Sequence, residues 1–287
     1  MSSGPKIFDR RLLRARQARA LARRPATFLI DRVAAELGER LSAVLRRFDV
    51  AADLGTPTDV VRRALAASGK VGTIAAVKAD EEALPFANGS LDLVVSALAL
   101  QFVNDLPGTL IQIRRALKPD GLLLAALIGG ESLNELRAAF AAAESEIEGG
   151  ISPRVAPFAD IRELGALLQR AGFALPVVDS EKVVVRYDSV FGLMRDLRGM
   201  GATNVQHERR RTPLRRATLE RMAAIYAERF ADADRRVRAT FEIVWLSGWA
   251  PHESQPKPLK PGSAAQRLAD ALGTTEMSAG EKPERLR

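Results

Sequence analysis

The chain has 287 residues with a net charge of +8, 47% apolar side chains, no cysteine and only two histidines, His207 and His252. Disulfides, thiolate metal sites, a cysteine nucleophile and a histidine-rich metal centre are excluded, and no apolar run reaches the ~18 residues of a membrane helix. The charge is uneven: residues 1–30 hold eight basic side chains against Asp9 alone, and a second cluster runs Arg209, Arg210, Arg211, Arg215, Arg216. Such clusters suit an acidic partner or a solvated helix face, and without interleaved aromatics they give base stacking little support. The N-terminal stretch lacks the apolar segment of a secretory leader, but is arginine-rich and acid-poor as transit peptides are.

Residues 10–24 read as a basic helix, and Phe28, Leu29, Val33, Leu37, Leu41 and Val44 mark a second one over about 26–47. A short apolar strand, Val50 to Leu54, ends in Asp53-Leu54-Gly55; a helix capped by Thr58 or Asp59 follows, and residues 72–78 form the next strand. Leu91 to Leu98 is a continuous apolar run, as expected of a strand buried on both faces. Leu106 to Leu117 is amphipathic, Lys118-Pro119-Asp120-Gly121 is a turn, and Leu122 to Ile128 is another buried strand. Ser132-Leu133-Asn134-Glu135 has the capping-box pattern, and Asp160 to Glu163 repeats it. Two β-rich stretches, 174–187 and 238–249, flank a helical insert at about 189–234. In that insert Phe191, Met194 and Leu197 are expected to face the core or a pocket, and Arg209 to Arg216 to face outward. Beyond Ala250 the chain is rich in proline, serine and charge, and its end reads as disordered.

Strands alternating with helices predict a mostly parallel sheet covered on both faces, with the two late strands as an antiparallel edge pair. Ligands of such sheets bind beyond the carboxyl ends of the strands, so the residues after 54, 79 and 96 are the ones to inspect.

At those points the sequence resembles the class I (Rossmann-like) S-adenosylmethionine-dependent methyltransferases. Asp53-Leu54-Gly55 is similar to the start of their glycine-rich first motif, Ala79-Asp80-Glu81-Glu82-Ala83-Leu84-Pro85-Phe86 to their adenine-side loop, and Ser90-Leu91-Asp92-Leu93-Val94-Val95-Ser96 to their fourth strand. Ile7-Phe8-Asp9-Arg10, Val103-Asn104-Asp105-Leu106-Pro107, Glu148-Gly149-Gly150, Asp196-Leu197-Arg198-Gly199-Met200-Gly201 and His252-Glu253-Ser254-Gln255 narrow the resemblance. It becomes one to the complex I assembly factors, whose mitochondrial member is described as an arginine hydroxylase on a complex I subunit. Malonyl-carrier-protein methyltransferases are more distant relatives.

The resemblance implies S-adenosyl-L-methionine as cofactor, contacted by Asp53, Gly55, Asp80, Glu81, Ser96 and Leu98, with Asp80 beside the adenine amino group. It assigns no catalytic residue; Gln101 has no proton to titrate near neutrality and cannot be a general base. It implies a protein client, a complex I subunit, in preference to nucleic acid, with no metal and no membrane span. The compartment implied is the cytoplasm, including the surface of the inner membrane, or the mitochondrial matrix in a eukaryote. The expected organisation is a basic helical region 1–47, a methyltransferase-like core 48–188, a helical cap 189–234, a last core strand 235–255 and a mostly disordered tail 256–287. Three functions stay open: an S-adenosylmethionine-dependent enzyme of complex I assembly, a catalytically inactive assembly factor on the same fold, and a nucleic-acid methyltransferase.

The site departs from the family pattern in two ways. Pro57 and Asp59 stand where the first motif has its second and third glycines, so one backbone donor is lost and a carboxylate is added. Only 26 residues separate Asp53 from Asp80, with no acid between Asp59 and Asp80. Two crossovers and two strands need roughly 34. One strand–helix unit is therefore expected to be missing around strand 2, leaving fewer than the usual seven strands, and with it the acid that clamps the ribose. Losing those charge-assisted bonds and one backbone donor should cost about 3–5 kcal/mol, two to three and a half decades of affinity. Isothermal titration should accordingly register no binding at about 100 μM S-adenosylmethionine in a cooperatively folded sample, given that a micromolar site weakened so far becomes millimolar. Micromolar binding would overturn this reading of the pocket.

Overall fold

The computed structural model describes residues 6–77, 80–256, 270 and 272–275. Residues up to His252 form one compact unit; the few described residues beyond it belong to a second, and the expected disordered tail lies mostly outside the described residues. The first unit holds β1 (Phe48–Leu54), β2 (Val71–Val77), β3 (Leu91–Ala97), β4 (Leu117–Ile128), β5 (Ala174–Tyr187) and β6 (Val237–Trp249). They form one sheet in the order β2-β1-β3-β4-β6-β5. β2, β1, β3 and β4 run parallel, while β6 pairs antiparallel with both β4 and β5.

The strands alternate their side chains between two cores, as the pleat requires. On β4, Leu122, Leu124 and Ala126 face α2 (Phe28–Ala43), α5 (Asn134–Glu148) and α8 (Arg216–Phe230); Leu123, Ala125 and Leu127 face α4 (Leu106–Ala116) and α6 (Ile161–Arg170). β3 is buried along its whole length, which explains its unbroken apolar run.

Six strands rather than seven are present among the described residues, but α3 (Val60–Ala67) and β2 are both complete and the acids Asp80 and Glu81 follow soon after β2. The missing unit therefore lies beyond β2, and the expected loss of an acid after that strand is not borne out. β2 is a full seven-residue strand paired with β1 from Phe48↔Val71 to Leu54↔Val77, and α3 alone makes the crossover. What is absent is a whole strand–helix unit, so β2 stands at the sheet edge and its carboxyl end leads directly toward Asp80.

A helix absent from the parallel layers crosses the carboxyl ends of the strands. α1 (Arg10–Leu21) is capped by Asp9, whose carboxylate accepts from the Leu12 amide at 2.9 Å. The segment before it is pinned by backbone bonds, Asp9 N to Val205 O at 2.8 Å and His207 N to Ile7 O at 2.7 Å, and by Phe8 N donating to Asn104 Oδ1 at 2.7 Å. Phe8, Leu13, Phe102, Ala156 and Val205 form a small third core beneath it.

Several local expectations change. The second helix stops at Ala43, and Leu45 is 99% exposed. In α7 (Val190–Gly199) Leu197 is buried and Met194 packs on the core, but Phe191 is 46% exposed. Arg209 and Arg210 turn inward to Asp9 and Glu148, whereas Arg215 and Arg216 stay outward. The Ser132–Glu135 capping box does not form, because long-range partners outcompete the local ones. Ser132 Oγ accepts from the Glu242 amide at 2.8 Å and donates to the Glu242 carbonyl at 3.2 Å, and the Glu135 carboxylate takes the Thr240 amide and hydroxyl. Leu133, at φ +56°, precedes α5 in place of a polar cap.

Ser132 is fully buried, so Ser132→Ala leaves the Glu242 amide without a partner. The expected cost is about 1–3 kcal/mol in denaturant unfolding, and an unchanged midpoint would contradict the assignment.

Candidate functional site

The carboxyl ends of β1 and β3, the loop after β2, and α1 converge on one side of the sheet. Asp53, the penultimate residue of β1, is 2% exposed and accepts from Arg62 Nη1 at 2.8 Å. Burial pushes its carboxyl above the ordinary value, against the opposing pull of Thr56 and Arg62. Asp53 borders a cleft of about 480 Å³ with Thr56, Pro57, Thr58, Asp59 and Arg62. Gly55 follows at φ +73°, the left-handed turn that the strand-to-helix corner requires. A Cβ on Gly55 would stand 2.5 Å from Glu81 Oε1 and 2.9 Å from the Ala99 methyl. The Glu81 side chain thus lies against the bare face of the glycine.

Glu81 is held there by Arg10. The Arg10 guanidinium, with its side chain 11% exposed, pairs with Asp80 and Glu81 and reaches Glu82 at 3.3 Å; Arg14 adds a contact to Asp80 at 3.4 Å. Glu82 also accepts from the Asn104 amide at 2.5 Å, and Gln112 grips the same loop through the Leu84 amide and the Glu82 carbonyl. Burial alone would raise Asp80. The Glu82 amide and the guanidinia of Arg10 and Arg14 outweigh it and hold the carboxyl below its ordinary 3.8.

Ser96 and Leu98 have other duties. Ser96 is fully buried and its hydroxyl donates to Leu54 O at 2.8 Å, tying β3 to β1. Leu98, at φ +53°, donates its amide to Ala126 O and receives Gln101 Nε2 on its carbonyl at 2.7 Å. Leu98 and Gln101 border an apolar chamber of about 90 Å³ beneath α1 and α7, with Phe102, Ile128, Leu133 and Phe241 among its walls. Gln101 Oε1 is buried with no hydrogen-bond partner among the described residues. Asp53, Gly55, Asp80 and Glu81 are thus brought together, Leu98 borders the neighbouring chamber, and Ser96 works inside the sheet.

Residues 39–125 match the methyltransferase domain family. Over nearly its full length the chain is similar to mitochondrial arginine-hydroxylase NDUFAF5 of Danio rerio, 39% identical in an alignment of 290 positions that takes in 93% of this chain and 90% of the relative. The chain belongs to the arginine-hydroxylase NDUFAF5 family. The human NDUFAF5 protein is 40% identical, with 90% and 81% covered. A malonyl-[acyl-carrier protein] O-methyltransferase of Laribacter hongkongensis is 43% identical over 62% of this chain and 57% of its own. Among solved structures, a chain from Bacillus halodurans assigned to the methyltransferases superposes with a TM-score of 0.51 at 14% identity, covering 76% of this chain and 99% of that one; this likeness concerns the fold.

S-adenosylmethionine is the cofactor of this class of domain. Tested against it, the two ends of this NDUFAF5-family site differ. The buried Asp53 carboxylate at the lip of the 480 Å³ cleft suits the cationic amino group of a methionine moiety. At the adenosine end, Asp80 and Glu81 are already paired and Glu81 covers Gly55, so the arrangement does not accommodate the nucleoside. Because one strand–helix unit is gone, a single loop stands where two loops would supply the ribose and adenine contacts. Sequence reasoning missed Arg10, Arg14 and Arg62. Arg10 lies in the Ile7-Phe8-Asp9-Arg10 motif, but nothing in the chain order places it beside a loop 70 residues away.

Arg10→Ala should lower stability by about 1–3 kcal/mol, the range between exposed and buried ion pairs, because Asp80 is half exposed while Arg10 is not. The sign with pH is fixed by Asp80. Its carboxyl is depressed, so the stabilisation is present above the ordinary value of 3.8 and is lost as pH falls below it. Thermal melts should show the wild-type advantage over Arg10→Ala from pH 5 to 8, shrinking below pH ~4; an advantage that vanished between pH 7 and 5 would contradict the cluster.

Proposed function

We propose that this protein is a methyltransferase-like assembly factor of respiratory complex I that works by holding a protein client, a subunit of that complex. The observation that carries the reading is the match along nearly the whole chain to proteins named arginine-hydroxylase NDUFAF5, the helical segment 189–234 included in its span. The malonyl-[acyl-carrier protein] methyltransferases match a smaller part of the chain, which supports a role shared with the former group.

Within this reading Asp53 alone remains to meet the amino-acid end of a cofactor, Gly55, Asp80 and Glu81 at the adenosine end are engaged with one another and with Arg10, and Leu98 borders the client chamber. The closure of the adenosine end by Arg10 favours client binding over methyl transfer as the retained activity. The chamber beneath α7 has apolar walls and one buried acceptor, Gln101 Oε1, so an entering client side chain gains apolar contact and can donate one hydrogen bond. Within the helical segment 189–234, α7 and residues 199–214 border the chamber and the groove beside it and shape the approach, whereas α8 packs on the sheet face rather than over the strand ends. A nucleic-acid substrate draws no support, since Arg209, Arg210, Arg215 and Arg216 are engaged by Asp9, Glu148 and Glu220. The mitochondrial label of the relatives supports work on the matrix face of the inner membrane, or its bacterial equivalent; among the described residues no helix is long and apolar enough to cross a membrane.

Deleting the gene in its own host should lower the amount of assembled complex I on native gels and the NADH-driven reduction of quinone, and a plasmid copy should restore both. Unchanged complex I in the deletion strain would contradict the proposed role.

A further inference from the structure

A second concavity, a groove of about 530 Å³, runs between α5, α7 and the segment 202–214. Its floor is apolar, with Leu136 and Phe140 from α5 and Met194 and Leu197 from α7. Its rim is a row of guanidinium groups of two kinds. Arg154, Arg209 and Arg210 are neutralised by Glu144, Asp9 and Glu148. Arg16, Arg198 and Arg211 border the same groove and form no ion pair among the described residues. Arg16 donates only to a neutral acceptor, the Asn204 carbonyl, at 2.5 Å. Burial, and then the nearby charges of Arg209 and Arg19, pull its guanidinium below the ordinary value, the condition of a cation waiting for an anion. The groove also adjoins the chamber: Phe102, Leu133, Phe158 and Leu197 border both.

We propose that this groove is the client-docking track and that it takes an acidic, amphipathic peptide segment, with carboxylates on Arg16, Arg198 and Arg211, apolar side chains on the floor, and one side chain carried toward the chamber. Charge complementarity selects the partner's sign, and the leucine, phenylalanine and methionine floor selects an amphipathic chain over a polyphosphate backbone. A flat anionic bilayer could meet the exposed arginines but could not fill a concave floor. The inference rests on the proposed client-holding role but concerns where and by what chemistry the client is held.

Fluorescence anisotropy of the full chain with a labelled amphipathic glutamate–leucine peptide tests it, beside the glutamine–leucine and lysine–leucine counterparts. Sedimentation with phosphatidylglycerol–phosphatidylcholine vesicles runs in parallel. The acidic peptide should bind and the other two should not, and the affinity should fall on raising salt. The Arg198→Glu, Arg211→Glu double variant alters two exposed side chains and should melt as the wild type does; its affinity for the acidic peptide should fall at least about tenfold. Equal binding by this variant, equal affinity for the glutamine peptide, or vesicle binding without peptide binding would each overturn the proposal. Each would leave the complex I reading to its own gene-deletion test. Should the double variant fail to fold, the single variant Arg198→Gln gives the same readout, with a smaller loss expected and no loss contradicting.

Discussion

The guanidinium of Arg10 meets the carboxylates of Asp80, Glu81 and Glu82 because the chain between β1 and that loop is one strand–helix unit short. A β2 placed directly beside β1 delivers the acidic loop to the carboxyl end of the sheet with no second loop beside it. Three carboxylates gathered there would repel one another without a counter-charge. α1 supplies it, and the backbone bonds that pin residues 7–9 across the strand ends hold α1 in reach. The same contact settles the position of Glu81 over Gly55, and so closes the nucleoside end of the site.

The remaining cavities follow from this placement of α1. The chamber under α1 and α7 is walled by residues of both helices and of the strand ends, and the arginine-rimmed groove shares its far wall. The cleft beside Asp53 adjoins the same chamber, since Leu21, Pro25, Thr27, Pro57 and Thr58 border both, while Glu81 closes the nucleoside end over Gly55. A protein can keep the packing of an enzyme fold, whose cores are spread over both sheet faces, while giving up a ligand site that depends on a few loop side chains.

The strands of the parallel layer were legible because each is a short apolar run between turn residues, and burial on both faces demands such runs: Leu91–Ala97 and Leu122–Ile128 are clear cases. The missing unit was legible for a different reason, chain length, since 26 residues cannot span two crossovers and two strands. Ser132 and Glu135 misled because a local capping pattern competes with partners distant in the chain, here Glu242 and Thr240, and a sequence displays only the former. The family resemblance makes Ser96 a cofactor contact, yet its hydroxyl is spent on Leu54. Arg10 was one basic residue among eight in the first 30, and only tertiary placement distinguishes it from its solvated neighbours.

Amide hydrogen exchange with and without S-adenosylhomocysteine at about millimolar concentration examines the closed nucleoside end most directly, since a bound ligand slows exchange in proportion to its occupancy. Unchanged exchange over Gly55–Asp59 and Asp80–Leu84 is the result expected of a loop already filled by Glu81 and locked by Arg10. Marked protection of both segments by the ligand would contradict it, because the nucleoside would then have displaced the chain's own side chains.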